Sequence, residues 1–269
     1  MADALIGIML VSFGQGTAPL FSLDKVRESH NNERITLFHT KETAVTATAL
    51  WPPSGPAWRD AVAHERALIQ QGRYREALRL CETMYDAAER ASAPPGVLAM
   101  LWAHRGDLLR YVEDFQGAAD AYAECLRRLK PITEQANCPQ VLIIPLHTCA
   151  AIQLRRSRVD DALALLDRSD DALERADPTL NRRFIQLHTM LLRAWSAAAA
   201  GDVATARRLY LQARQIADLL RLPSAHRLMQ VITDGLDWLD NPTATPPDPF
   251  LWDEPAHVGP APALFACCV

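Results

Sequence analysis

The stretch Gly72-Arg73-Tyr74-Arg75-Glu76-Ala77 recurs three more times along the chain, as Glu113-Asp114-Phe115-Gln116-Gly117-Ala118, Ser157-Arg158-Val159-Asp160-Asp161-Ala162 and Gly201-Asp202-Val203-Ala204-Thr205-Ala206. Each copy has a turn residue, an apolar anchor two positions later and an alanine three positions after the anchor. The anchors Tyr74, Phe115, Val159 and Val203 are 41, 44 and 44 residues apart. Self-similarity at such a period indicates an array of repeated structural units.

The spacing within each copy is helical. An anchor and an alanine three residues later share one helix face, and the alanine lets a neighbouring helix approach closely. Seven residues after the anchors, the same stripe continues with Cys81, Tyr122, Leu166 and Tyr210. Nine residues before the anchors stand Glu65, Gly106, Ala150 and Ala194, which are small in three of the four copies. Each unit therefore reads as two packed helices, A and B.

These patterns predict a mainly α fold of four helical hairpins. The predicted A helices are 57–71, 96–112, 140–156 and 180–200, and the predicted B helices are 74–91, 115–130, 159–176 and 203–221. Asp114 and Asp202 stand at expected N-cap positions, and Pro94, Pro139 and Pro178 at turns or first helical positions. A last amphipathic segment, 225–239, is predicted to cap the array.

The four shared positions make residues 57–240 resemble tetratricopeptide repeats, with a period longer than the usual 34 residues or so. The resemblance implies an α-solenoid whose inner face is lined by the A helices. By that pattern the expected partner-binding residues are Arg66, Asp107, Arg110, Tyr111, His147, Arg155 and Trp195. Arginine and aromatic side chains at such a surface are suited to an acidic or amphipathic segment of another protein.

Residues 1–50 have a different pattern, which predicts one βαβ unit followed by a proline-rich linker at 51–56. The first predicted strand ends in Ser12-Phe13-Gly14-Gln15-Gly16-Thr17 and the second in His39-Thr40-Lys41-Glu42-Thr43. These two segments resemble the start of the CRISPR-associated Rossmann-fold sensor domains. That resemblance implies a cyclic-oligonucleotide site at Gly14, Gln15, Gly16, Thr17 and Thr43, where backbone amides at a helix N-terminus would hold a phosphate. Two strands do not complete a sheet. The unit therefore packs on the first hairpin, pairs with a partner's sheet, or is a remnant.

The C-terminal segment, 241–269, contains seven prolines and no lysine or arginine. It reads either as a disordered or surface-hugging acidic tail or as a short binding motif, Phe250-Leu251-Trp252-Asp253-Glu254, which would bind a partner or fold back into the solenoid's own groove. Cys267-Cys268-Val269 does not fit the prenylation pattern.

Composition narrows the function classes. The 269 residues are 49% apolar with a formal net charge of −4, which gives no broad reason to bind double-stranded nucleic acid. The six cysteines show no C-x-x-C pair and no zinc-finger spacing, so no metal or redox site is predicted. No secretory or membrane-spanning segment is evident, and a cytoplasmic location is expected.

No catalytic constellation and no cofactor-binding motif is recognisable in the eight histidines or the paired carboxylates. The expected function is therefore that of a non-enzymatic adaptor or regulator that binds another protein. The alternative is a signalling component of a CRISPR-associated or related antiviral defence system, whose N-terminal unit senses a nucleotide. An enzyme with an unrecognised site is the third class.

Overall fold

The computed structural model describes residues 56–176 and 182–241, and nine α-helices occur in these two ranges. They are α1 Pro56–Gln70, α2 Tyr74–Arg90, α3 Pro95–Tyr111, α4 Phe115–Ala136, α5 Ile143–Arg155, α6 Val159–Arg175, α7 Arg182–Ala199, α8 Val203–Leu219 and α9 Arg227–Asp240. A 3₁₀ turn, Pro139–Leu142, precedes α5. The described ranges contain no strand, so the mainly helical class is confirmed there. The predicted βαβ unit lies outside them, as do the linker before Pro56 and the tail after Asn241.

Helices adjacent in sequence pack against each other along the chain. The A helices α1, α3, α5 and α7 each pair with the following B helix, α2, α4, α6 and α8, and each B helix also contacts the next A helix. α9 packs on α8 and α7. This linear array is consistent with an α-solenoid. None of the described helices is both long enough and apolar enough to cross a membrane.

The recurring turn residue has a specific backbone role. Gly72, Glu113, Ser157 and Gly201 all have φ between +58° and +81°, the left-handed region. In each turn the next residue's N–H donates to the carbonyl five positions back, as Arg73 does to Leu68 at 2.8 Å and Asp202 to Ala197 at 2.9 Å. This is the Schellman arrangement that ends a helix. Four copies of it reverse the chain between the A and B helices.

Two B helices begin at the predicted caps. The Asp114 carboxylate accepts a hydrogen bond from the Gly117 N–H, and Asp202 accepts one from the Thr205 N–H, at 2.8 Å and 3.0 Å. The predicted stripe is also buried. Each repeat alanine, and each residue seven positions after an anchor, is inaccessible or nearly so. The sequence spacing therefore identified the packing face of every B helix.

One pair of boundaries differs from the prediction. α4 continues to Ala136 through Pro131, and α5 starts only at Ile143 because the preceding four residues form the 3₁₀ turn. Pro131 is exposed, and so is Arg127, the residue whose carbonyl loses its N–H donor. The proline therefore does not end the helix.

Candidate partner-binding surface

The A and B helices differ in charge. Together the four A helices carry eight arginines and three acidic residues. The four B helices carry eleven basic and fourteen acidic residues. Two of the A-helix arginines are held by B-helix carboxylates, since Arg105 pairs with Glu82 at 3.2 Å and Arg193 with Asp167 at 2.7 Å. The A helices nevertheless keep a net positive charge.

Arg66 on α1 and Arg155 on α5 are exposed, and neither forms an ion pair with any residue in the described ranges. The guanidinium of Arg155 lies 5.3 Å from the centroid of the Phe115 ring, which holds part of its side chain against the surface. Both arginines were predicted from the repeat offsets. Both present a charge to solvent that an acidic group could neutralise.

Asp107, Arg110 and Tyr111 form a connected group near the C-terminus of α3. One carboxylate oxygen of Asp107, Oδ1, accepts hydrogen bonds from the Tyr122 hydroxyl at 2.8 Å and from the Arg110 guanidinium at 3.3 Å. The Arg110 guanidinium lies 4.9 Å from the Tyr111 ring centroid. Tyr111 in turn stacks on Tyr74, with centroids 4.8 Å apart and planes 12° apart. The charges in this group already have partners within the fold.

Burial within this group shifts one pKa strongly. Burial, aided by the negative charge of Asp107, raises the pKa of the Tyr122 phenol well above its ordinary value. The phenol therefore stays protonated and donates its hydrogen bond at any physiological pH. This bond ties α4 to α3 at the base of the surface.

Two predicted residues are not available to a partner in this structure. Arg110 is 8% exposed and His147 is 0% exposed. The prediction that they line an open surface is therefore corrected. The α5 position of His147 faces α6 and α7, where its Nε2 lies 2.9 Å from Ser169 Oγ and 3.0 Å from Thr189 Oγ1. Complete burial lowers the pKa of His147 to about 3, so the ring is neutral.

The other predicted residues are either half-buried or outside the described ranges. Trp195 on α7 is half-buried and packs on the largest apolar cluster of the array. The proposed nucleotide residues Gly14, Gln15, Gly16, Thr17 and Thr43 lie outside the described ranges. Of the seven partner-binding residues, Arg66 and Arg155 are exposed, and Asp107, Tyr111 and Trp195 are half-buried.

A groove that the sequence did not indicate runs between α3 and α4. It is lined by Trp102, Arg105, Leu109, Asp114, Gly117, Asp120, Ala121 and Glu124. Its carboxylates already have roles in the fold: Asp114 caps α4, Asp120 accepts from the Gln116 amide, and Glu124 pairs with Arg127 and Arg128. These carboxylates are therefore already paired within the protein.

A scan of protein-family profiles found none that matches this chain, and a search of curated proteins found no significant match. The repeat is thus defined by the chain's own four copies.

Proposed function

We propose that this chain is a tetratricopeptide-like α-solenoid adaptor that binds an acidic or amphipathic segment of another protein on the face formed by its A helices. The observation that carries the proposal is the excess of arginine over carboxylate on those helices, with Arg66 and Arg155 exposed and without described ion-pair partners. In tetratricopeptide-type solenoids this is the concave face, which suits an extended partner segment.

The electrostatics favour an acidic partner over other macromolecules. Opposite charges on two surfaces accelerate association and exclude partners of the same sign, and this effect weakens with added salt. The whole chain has a net charge of −4, so the attraction is local to the A helices. Half-buried Tyr111 and Trp195 would supply apolar contact area beside the arginines.

The test compares two matched double charge reversals of the full-length chain. Arg66→Glu with Arg155→Glu changes the A-helix face, whereas Arg79→Glu with Arg214→Glu makes the same change in net charge at exposed positions of B helices. Proteins retained from a native lysate are identified by mass spectrometry. Retained segments are then synthesised and titrated against each purified variant by fluorescence anisotropy at low and high salt.

We expect an acidic segment to bind the unmodified chain and the B-helix variant with similar affinity, and to bind the A-helix variant at least about tenfold more weakly, because each reversal replaces an attraction by a repulsion. The difference should shrink in high salt. Equal binding to the two variants would contradict the proposed surface. Loss of binding by the B-helix variant alone would place the site on the opposite face.

A further inference from the structure

The first repeat departs from the packing rule of the other three. In the second repeat Gly106 lies against the ring of Tyr122, so a small residue nine positions before the anchor accommodates a large one seven positions after it. The third and fourth repeats place Ala150 and Ala194 at the small position. In the first repeat the corresponding residues are Glu65 and Cys81. The large side chain is now at the position nine before the anchor and the small one at the position seven after it, and both are polar or polarisable.

These two residues meet a third, His104 from the next A helix. One ligand atom from each of Glu65, Cys81 and His104 lies within 4.8 Å of the other two. The three residues come from α1, α2 and α3 and are 1%, 1% and 6% exposed, respectively. A carboxylate, a thiol and an imidazole are thus gathered in the interior of the first hairpin and the helix that follows it.

The polar atoms of this cluster are incompletely satisfied by the protein. His104 Nε2 lies 2.8 Å from Glu65 Oε2, an ion-pair distance. The other carboxylate oxygen, Glu65 Oε1, is buried and has no hydrogen-bond partner among the described residues. The Cys81 thiol is 3.8 Å from the Leu101 carbonyl, a weak interaction. A buried carboxylate oxygen without a partner costs free energy that some other ligand would recover.

We propose that Glu65, Cys81 and His104 bind one zinc ion that fastens the first hairpin to the helix that follows it. Sulfur, imidazole nitrogen and carboxylate oxygen are the three ligand types that Zn²⁺ takes in proteins. A bidentate Glu65 supplies the fourth donor atom and uses the unpartnered Oε1. The ion, one thiolate, one carboxylate and a neutral imidazole form a cluster with no net charge, which the interior accommodates better than a bare carboxylate.

Binding changes the protonation and the spacing of the ligands. The Cys81 S–H bond breaks and the sulfur electron pair forms the bond to zinc, while the thiol proton and the proton of the histidine–glutamate pair both pass to solvent. Zinc–ligand bonds of about 2.0–2.3 Å place tetrahedral donor atoms about 3.3–3.8 Å apart. The Glu65–His104 contact of 2.8 Å therefore has to lengthen, and any separation near the 4.8 Å limit has to shorten by about 1 Å, when the ion binds.

In the metal-free protein the thiol and the imidazole both hold protons that zinc has to displace. Burial, with the negative charge of Glu65, raises the pKa of the Cys81 thiol well above its ordinary value. Burial by itself lowers the pKa of His104, but the neighbouring Glu65 carboxylate outweighs it, and the net pKa is raised. The metal-free cluster is thus a thiol beside a histidine–glutamate pair. Zinc displaces one proton from Cys81 and one from His104, so zinc binding strengthens as pH rises.

Because the site is buried, the ion is loaded as the chain folds, and the test is done by refolding. The full-length protein is unfolded in denaturant with a reductant and a chelator, desalted under denaturing conditions, and refolded with one equivalent of Co²⁺ as a spectroscopic probe. Cys81→Ser is compared with Cys125→Ser, which removes another completely buried thiol outside the cluster. Circular dichroism verifies the helical content of each refolded variant.

We expect a thiolate-to-cobalt charge-transfer band in the unmodified chain and in Cys125→Ser, and no band in Cys81→Ser. Refolding with Zn²⁺ should give about one zinc per chain by elemental mass spectrometry and a higher Tm than refolding without metal. Glu65→Gln keeps the thiol, so it should retain the band but bind cobalt at least about tenfold more weakly.

Two results would overturn the zinc site. One is a refolded, helical wild type without the charge-transfer band and with the same Tm with or without Zn²⁺, which would leave Glu65 and His104 as a metal-free ion pair. The other is a band of equal intensity in Cys81→Ser, which would assign the cobalt to other thiols. If Cys81→Ser does not refold, the wild-type spectrum and the affinity of Glu65→Gln decide.

Discussion

The ring of Tyr122 lies directly against the Cα of Gly106: a Cβ at residue 106 would approach Tyr122 Cδ2 to 2.5 Å. The same ring carries the hydroxyl that donates a hydrogen bond to Asp107 Oδ1 at 2.8 Å. Glycine at 106 thus sets how closely α3 and α4 approach, and this approach positions the group formed by Asp107 and Arg110. The fit between Gly106 and the Tyr122 ring therefore contributes to the packing of the second repeat, in addition to apolar burial.

Replacing Gly106 by alanine should destabilise the chain. Alanine favours a helix by up to about 1 kcal/mol over glycine, but the added methyl group overlaps the Tyr122 ring, which costs about 1–3 kcal/mol when a packed interior must adjust. We expect a net loss in the free energy of unfolding, measured by urea denaturation followed by circular dichroism.

The matched control is the same substitution in a Tyr122→Leu background, where the ring is absent. There Gly106→Ala should be neutral or stabilising, and the double-mutant cycle should yield a coupling of at least about 1 kcal/mol. An equal loss of stability in both backgrounds would show that the ring contact is not what requires glycine.

Two substitutions in the turns between A and B helices should have opposite effects on stability. Ser157 and Gly201 occupy equivalent turns with φ of 58° and 81°. A side chain in the left-handed region costs about 1–2 kcal/mol. A Cβ added at Gly201 would contact nothing within 4 Å, so only the backbone is affected there. We expect Gly201→Ala to lower the free energy of unfolding by about 1 kcal/mol.

Conversely, Ser157→Gly relieves the left-handed strain at a modest cost in unfolded-chain entropy, and should leave stability unchanged or raise it by up to about 1 kcal/mol. Both variants are compared by urea denaturation. A loss of stability in Ser157→Gly would indicate that the serine side chain has a role in the turn beyond its backbone conformation.

Stability should fall as the solution is acidified below neutrality. The pKa of His147 is about 3 in the folded chain because of burial, and burial lowers the pKa of His188 well below its ordinary value. The unfolded chain therefore binds more protons than the folded one below pH 6.5 or so, and the stability present above that pH is lost as pH falls toward 3. Each histidine contributes up to about 1.4 kcal/mol per pH unit.

The measurement is urea denaturation between about pH 7 and pH 4. Removing one buried histidine, as in His147→Gln, should make the pH dependence shallower by up to one proton, whereas His64→Gln at an exposed position should not. His104 works in the opposite sense, since its raised pKa means that its contribution is full below pH 6.5 and declines above it. Identical slopes for the two variants would exclude His147 as the source.

The thiols of Cys125 and Cys149 should be protected from alkylation in the native chain. Both are buried, and burial raises the pKa of Cys149 to about 11 and that of Cys125 further. Alkylation needs an accessible thiolate. We expect labelling by iodoacetamide, followed residue by residue by mass spectrometry, to be on the order of 100-fold slower than in urea, because opening such a core costs several kcal/mol. Native rates close to those in urea would contradict this burial.

Much of the fold could be predicted from the sequence because the residue patterns that specify it are local. A turn residue, an anchor and an alanine within six positions define a helix end, a helix start and a packing face, and the structure has the Schellman turns, the caps and the buried alanines there. Pro131 was the exception. A local rule ends the helix at proline, but α4 continues through Pro131 at an exposed position.

The solvent exposure of the A-helix side chains could not be predicted in the same way. The position of Arg110, five residues before its anchor, is buried in all four copies, and the position of His147, twelve before, is half-buried or buried. Whether an A-helix position is covered depends on the angle at which the next hairpin packs, and that angle results from all side chains at the interface. A one-dimensional repeat therefore predicts the helix face but not its accessibility.

The sequence by itself determined the helices, their order and their packing stripe, because each depends on residues within a few turns of one another. The repeat spacing places Glu65 and Cys81 on facing helices, but only the tertiary structure decided that His104 of the next hairpin joins them, since no repeat offset links it to that pair. Three helices must pack before their side chains share one interior space. Packing of distant segments, which local spacing does not encode, is the physical reason that this cluster was absent from the prediction.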